Sequence, residues 1–234
     1  MRVVFGGEVV ADTPNGLYVW EWPYYPQYYV PFADVADGVL QPSPVTSHSP
    51  SRGTATHYAV AAGGQRIDDG ALVFHASPIE EIRGHVRFEF EAMDAWFEED
   101  EEIIVHPRDP ATRVHILPSS RHVTISIDGT VVADTHRPTF LYETHLPRRT
   151  YIPKLDVRLD LLSPTRTLSR CPYKGTAVYW SATTPAGAHP DIVWSYPAPL
   201  RESIPIAGLM AFFDEKVDVT VDGVALPRPT TKFS

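Results

Sequence analysis

The chain has 234 residues, a formal net charge of −9, a hydrophobic fraction of 43% and a charged fraction of 21%. These are proportions of a folded protein long enough for two cores, and the negative balance excludes a general attraction to phosphate backbones or anionic lipid. Neither nucleic acid nor a membrane is expected as a partner. One cysteine, Cys171, excludes an intrachain disulfide and a cysteine-built zinc cage and suits a reducing compartment. With no apolar run long enough for a signal peptide or a membrane span, the expected location is the cytoplasm.

The 23 prolines and 14 glycines, with few helical patterns, predict many short strands joined by turns. The first is a hairpin, Val3-Val4-Phe5 and Val9-Val10-Ala11 around Gly6-Gly7. Aromatic and β-branched residues predict strands over 18–22 and around Tyr29-Val30-Pro31. The best helical signal is residues 92–97, one or two turns, running into the acidic residues 98–102, which read as a solvated segment. Prolines at 107, 110 and 118 mark a join, so residues 1–110 form a first repeat, 111–120 a linker and 121–234 a second repeat.

The second repeat opens on another hairpin. Val123, Ile125 and Ile127 alternate with polar residues before the turn pair Asp128-Gly129, and Val131-Val132-Ala133 returns. Strands follow at 140–143, around Tyr151-Ile152 and over 156–162. The turn Cys171-Pro172-Tyr173-Lys174-Gly175 feeds a strand over 176–183, residues 185–190 read as loop, and strands at 192–196, 206–213 and 217–224 close the chain.

The two halves are copies. Laying each residue over the one 122 positions later pairs Val9-Val10-Ala11-Asp12-Thr13 with Val131-Val132-Ala133-Asp134-Thr135, Glu21 with Glu143 and Tyr29 with Tyr151. It continues through Asp34/Asp156 and Pro50/Pro172 to Gly53-Thr54-Ala55 over Gly175-Thr176-Ala177. A period this long signals a whole duplicated domain, because solenoid units run to about 20–50 residues. The expected fold is all-β, two tandem domains of short antiparallel strands with little helix.

Several motifs of the second copy resemble one known family. They are Val131–Thr135, Tyr-x-Pro-x-x-Asp-Val at 151–157, Cys-Pro-Tyr-Lys-Gly-Thr-Ala at 171–177, Trp-Ser-Tyr-x-x-Pro at 194–199 and Ile-Ala-Gly-x-x-Ala-Phe at 206–212. The chain resembles the two-copy form of family 427 of the domains of unknown function. That resemblance implies a β-tent-like fold, the class of methionine sulfoxide reductase B and the thalidomide-binding domain of cereblon, with two small antiparallel sheets leaning together over a pocket. Those relatives usually pin the tent with four zinc-binding cysteines, and because this chain has one, packing is expected to replace that staple.

Candidate site residues gather near the Cys171 turn. Cys171, between Arg170 and Lys174, reads as an activated thiol or as a small buried residue ending a strand. Lys174, matched by Arg52 in the first copy, reads as an anion holder or as an exposed turn lysine. Tyr173 offers a hydroxyl to a ligand or covers a sheet edge. Tyr179, Trp180, Trp194, Tyr196 and Phe212 read as an aromatic cage or as core, Trp194 and Tyr196 sharing one strand face.

A nucleotidyltransferase reading needs carboxylates sharing metal ions, whereas Asp156 and Asp160, four strand residues apart, lie about 13 Å from each other. Asp218 and Asp222 have the same spacing. The histidines are scattered, and no metal ligand or cofactor is assigned.

The reading that results is a protein binding a small molecule or short peptide in an aromatic pocket of the second repeat. Trp180, Trp194 and Tyr196 form its walls and Cys171 and Lys174 its rim, with Tyr173 a further ligand-binding residue, while the first repeat is mainly structural. The alternatives are a thiol enzyme using Cys171, in redox or acyl-transfer chemistry, and an interaction module.

Overall fold

A computed structural model describes residues 1–231 and 234. The chain divides into two compact units, Met1–Asp109 and Pro110–Ser234.

In the first unit the strands are β1 (Arg2–Phe5), β2 (Glu8–Asp12), β3 (Leu17–Val19), β4 (Gln27–Pro31) and β5 (Leu40–Ser49). They continue with β6 (Gly53–Ala62), β7 (Gln65–Val73), β8 (His85–Phe88), β9 (Ala95–Glu98) and β10 (Glu101–Glu102). These form a six-stranded sheet, in the order β3-β4-β8-β7-β6-β5, and a four-stranded sheet, β10-β9-β1-β2.

In the second unit, β11 (Val114–Pro118), β12 (Val123–Ile127), β13 (Thr130–Thr135) and β14 (Thr139–Glu143) come first. Then come β15 (Arg149–Ile152), β16 (Leu162–Cys171), β17 (Gly175–Thr184) and β18 (Gly187–Ser195), and finally β19 (Met210–Phe212), β20 (Asp218–Val221) and β21 (Val224–Ala225). The seven-stranded sheet has the order β11-β14-β15-β19-β18-β17-β16 and the four-stranded sheet β13-β12-β20-β21. Among the described residues the strands pair antiparallel, an isolated parallel bridge joins Tyr196 to Ala207, and the helical content is six short 3-10 turns. The all-β, duplicated layout is as the sequence implies.

The duplication extends to irregularities. A β-bulge shifts the β1–β2 register between Val3 and Val4, and an equivalent bulge shifts β12–β13 between Ile125 and Ser126. An isolated bridge joins Ala11 to Val35 and its copy joins Ala133 to Val157. The Thr13 hydroxyl donates to Asp34 at 2.6 Å, and Thr135 donates to Asp156 at 2.7 Å. Each side chain satisfies a polar atom where the chain leaves the small sheet for the large one, so the pair locks that corner twice.

The main core of each unit lies between its two sheets. In the second unit Ile125, Ile127 and Val123 of the small sheet meet Phe140, Ile152, Val193 and Phe212 of the large one. A second cluster, on the other face of the large sheet, gathers Leu141, Tyr151, Trp194, Tyr196 and Ile206.

Five local expectations are corrected. Residues 95–98 are a strand, not a helical turn: β9 pairs with β1, which turns Trp96 inward to stack on Phe90 at 5.2 Å and 4°. Burying that indole outweighs the weak local helical preference. The acidic stretch after it is not wholly solvated, since Glu98 accepts the hydroxyls of both Tyr18 and Tyr28 at 2.5 Å. Residues 187–190 continue β18, hydrogen-bonded to β17, rather than forming a loop. Within the stretch read as a linker, Val114–Pro118 is the edge strand of the large sheet, paired with β14. Residues 156–161, expected as strand, hold the end of one 3-10 turn (Lys154–Asp156), an isolated bridge at Val157 and a second 3-10 turn (Leu159–Leu161), and the strand begins at Leu162.

Candidate functional site

β14 separates two environments in the second unit. Its Leu141 faces the aromatic cluster and Phe140 the core between the sheets, and Glu143 and Tyr142 prolong those two faces.

On the aromatic side, Gly175 takes φ +94° at the end of the Cys171 turn, a conformation suited to glycine. The Lys174 amide donates to the Cys171 carbonyl at 3.3 Å, and the Leu200 amide returns to the Lys174 carbonyl at 3.2 Å. The Ser203 hydroxyl donates to the Tyr173 carbonyl at 3.0 Å. Lys174 is therefore buried rather than exposed, and its ammonium pairs with the buried carboxylate of Glu143. Removing both charges from water is tolerated because each meets the other.

The first unit repeats this arrangement with Arg52, which pairs with Glu21, while the Tyr29 hydroxyl donates to Glu21 at 2.8 Å. Glu21, Tyr29 and Arg52 correspond to Glu143, Tyr151 and Lys174. The identity of Glu and Tyr across the copies was the signal that could have found this buried pair.

The structure brings Lys174, Trp194, Tyr196 and Cys171 to one neighbourhood. The Trp194 indole donates to the Tyr151 hydroxyl at 3.2 Å, ring edge on ring face at 89°. Burial, with Tyr151 and Cys171 nearby, pushes the Tyr196 hydroxyl far above its ordinary range, so it stays neutral. Cys171 is half-buried, and the neighbouring ammonium is committed to Glu143 instead of to the thiol. Tyr173 is half-buried on the turn.

Trp180 does not join them. Tyr179 lies opposite Trp194 and Trp180 opposite Val193. Alternation therefore sends Trp180 to the core between the sheets, where the Lys154 ammonium lies 5.7 Å from its ring. Tyr179, its hydroxyl 2.7 Å from the Ser169 hydroxyl, is the aromatic residue on the cluster side. Phe212, another of the expected cage residues, also belongs to the core between the sheets.

Open space lies on the other side of β14. A cavity of about 390 Å³ is lined by Tyr142, Arg148, Asp214, Val217, Val219 and Leu226, with three prolines. A neighbouring hollow of about 540 Å³ shares Tyr142, Arg148 and Leu226 and adds Leu117, Phe140, Val221 and Val224. Together they form a cleft where the β11–β14 edge of the large sheet faces the β20–β21 edge of the small one. Neither is lined by Cys171, Lys174, Trp194 or Tyr196.

The cleft has a defined electrostatic make-up. Burial pushes the Asp214 carboxyl up to about 6, against the pull of Arg149, whose guanidinium nitrogen is 3.9 Å away. Asp214 Oδ1 is buried and has no hydrogen-bond partner among the described residues. Next to it, burial also works against ionised Glu215, but paired bonds of 2.6 and 2.7 Å from Arg149 and one from Thr231 hold that carboxyl at about 2. The Arg148 guanidinium lies 4.2 Å from the Phe140 ring. Among the described residues Arg148 has no salt bridge.

Comparison of the two copies explains the space. Val3 pairs with Trp96 in the first unit, and its counterpart Ile125 pairs with Val219 in the second. Ala71 pairs with Phe88, and its counterpart Val193 pairs with Phe212. Two residues farther on, Phe90 therefore corresponds to Asp214. The stacked pair Trp96–Phe90 that fills the first unit becomes Val219 and Asp214 in the second.

The carboxylates weighed for metal-assisted nucleotidyl transfer are each engaged by their own arginine: Asp156 by Arg137, Asp160 by Arg158, Asp218 by Arg228 and Asp222 by Arg121. They do not converge.

Among the described residues no helix is long and apolar enough to cross a membrane. The model of a family described as a domain of unknown function (DUF427) matches the chain twice, over residues 1–99 and 115–223. The chain belongs to that family and carries its domain in two copies. No curated protein matches it.

Proposed function

With a two-copy member of the DUF427 family as the premise, we propose that the second repeat binds a small organic molecule or short peptide bearing one anionic group. The binding place is the cleft between the sheet edges, and the first repeat serves as structural partner. The observation that carries this reading is the exchange of a stacked Trp96–Phe90 pair for Val219 and Asp214, both of which line the cavity of about 390 Å³ in the second copy.

That volume falls in the range of small-ligand sites, about 300–1,000 Å³. The walls supply what such sites use: apolar side chains from Val217, Val219 and Leu226, the ring of Tyr142, and few polar groups. Arg148 is the cation available to an anionic group, because Arg149 is already held by Glu215. Asp214, with one unpartnered oxygen, accepts a donor when ionised and offers a proton when neutral.

The aromatic cluster around Trp194 keeps a different role in this reading. Tyr151, Trp194 and Tyr196 are buried, the Trp194 indole donates to the Tyr151 hydroxyl, and Lys174 is paired with Glu143, which supports a scaffold that anchors the Cys171 turn.

A thermal-shift screen of small carboxylates and short peptides tests the proposal. Hits are expected with the wild type and with Trp194→Phe, and are expected to disappear in Val219→Trp, which restores the first repeat's indole at that position. Hits that survive Val219→Trp but vanish in Trp194→Phe would return the site to the aromatic cluster.

A further inference from the structure

The outer face of the small sheet of the second unit carries a cluster that the cleft does not use. We propose that His122, Asp134 and His136 form a binding site for a divalent transition-metal ion of the zinc or copper type.

Register assembles the three side chains. Val123 pairs with Thr135 and Thr124 with Asp134. Continuing that register by one pair sets His122 opposite His136, with Asp134 on the diagonal. Residues 123, 125 and 127 point into the core, so His122 points outward, as do Asp134 and His136. The bulge after Ile125 is essential to this. Without the extra residue in β13, His122 would face Thr135, and the two imidazoles would lie on opposite faces.

The donors are close and partly held. One ligand atom from each residue lies within 4.8 Å of the others. His122 Nε2 is 2.7 Å from Asp134 Oδ1, and the two imidazole rings stack 4.1 Å apart at 13°. The backbone of His122 is fixed from the other side: its amide donates to Asp222 Oδ1 at 3.0 Å and its carbonyl accepts from the Asp222 amide at 2.8 Å. Arg121 neutralises the remaining oxygen of that aspartate, so Asp134 is the carboxylate left for an ion.

A first-row ion with bonds of about 2.0–2.2 Å needs its ligand atoms roughly 3.3–4.3 Å apart. Rotation of the exposed His136 ring closes the remaining gap. Two imidazoles and one carboxylate suit zinc, copper or nickel rather than calcium or magnesium, which prefer all-oxygen sets. Three protein ligands leave a position for water. The first repeat has no equivalent, because Pro14 stands where the second has His136.

Isothermal titration of the full chain with zinc chloride at pH 7.5 tests the site, alongside His136→Gln and Asp134→Asn, both at exposed positions. One equivalent is expected to bind to the wild type, with at least a tenfold loss of affinity in His136→Gln and a smaller loss in Asp134→Asn. The ring-nitrogen NMR signals of His122 and His136, and of no other histidine, are expected to shift in the first equivalent. The proposal is overturned by an absence of binding at millimolar zinc, by affinity unchanged in both variants, or by first-equivalent shifts at other histidines.

Discussion

Replacing Asp214 by asparagine should stabilise the protein at neutral pH, and by an amount that depends on pH in a specified way. The carboxyl lines the cleft with one oxygen unpartnered, and burial raises it from 3.8 to about 6. Between those values the folded state holds a proton that the unfolded state has released, so stability declines as pH rises from about 4 to 6. Above 6 the ionised carboxylate is a standing cost. A shift of about two units at 1.36 kcal/mol each sets a ceiling near 3 kcal/mol, and the 14% of the side chain left exposed lowers the expectation to about 2 kcal/mol. Asp214→Asn removes the ionisation while keeping the shape.

Glu215 acts in the opposite sense but in another window. Its carboxyl is depressed from 4.5 to about 2, so it contributes stability above about 4.5 that is lost as pH falls towards 2. Urea denaturation at pH 4.0, 5.5 and 7.5, followed by tryptophan fluorescence, separates the two. The difference between Asp214→Asn and wild type should be small at pH 4.0, intermediate at 5.5 and about 2 kcal/mol in favour of the variant at 7.5. A variant no more stable than wild type at 7.5, or a gain equal at all three pH values, would refute the electrostatic reasoning.

Three further outcomes follow from the same geometry. Lys174→Met leaves the Glu143 carboxylate buried without its partner and should cost about 3–5 kcal/mol of second-unit stability in urea melts, while Lys174→Met with Glu143→Leu should recover most of it. Because the Lys174 ammonium is held by Glu143, the iodoacetamide rate of Cys171 in the charge-free Lys174→Met, Glu143→Leu double variant should stay within about threefold of wild type at pH 7–9; a larger fall would revive a lysine-activated thiol. Trp180→Phe, a change on the core side of β17, should lower stability by about 1–2 kcal/mol without altering any ligand-induced thermal shift, since the ring faces neither the aromatic cluster nor the cleft.

Much of the fold was legible because its signals are local and doubled. The alternation of Val123, Ile125 and Ile127 and the turn pair Asp128-Gly129 name a hairpin, and its first-copy counterpart confirms it. The shared face of Trp194 and Tyr196 also follows from strand alternation, and both rings lie in one cluster. Trp180 and Tyr179 are adjacent, so only one can join that cluster, and the register that decides between them is interrupted by a bulge after Trp180.

The cleft was hidden for a different reason. It is made by what Val219 and Asp214 lack relative to Trp96 and Phe90. Those positions align only through strand pairing, beyond the point where the ungapped copies drift apart. Residues 95–98 misled in the same way: their helical look is local, whereas the pairing of β9 with β1 that turns Trp96 inward depends on residues more than 90 positions away.

The most direct test of the account is a set of crystals of the full chain soaked with small aromatic and aliphatic carboxylates. Electron density is expected between Tyr142, Leu226 and Val219, with the carboxylate against the Arg148 guanidinium, and no such density is expected at Trp96 in the first unit. Carboxylates bound instead beside Cys171 and Trp194, with the cleft left to solvent, would contradict it.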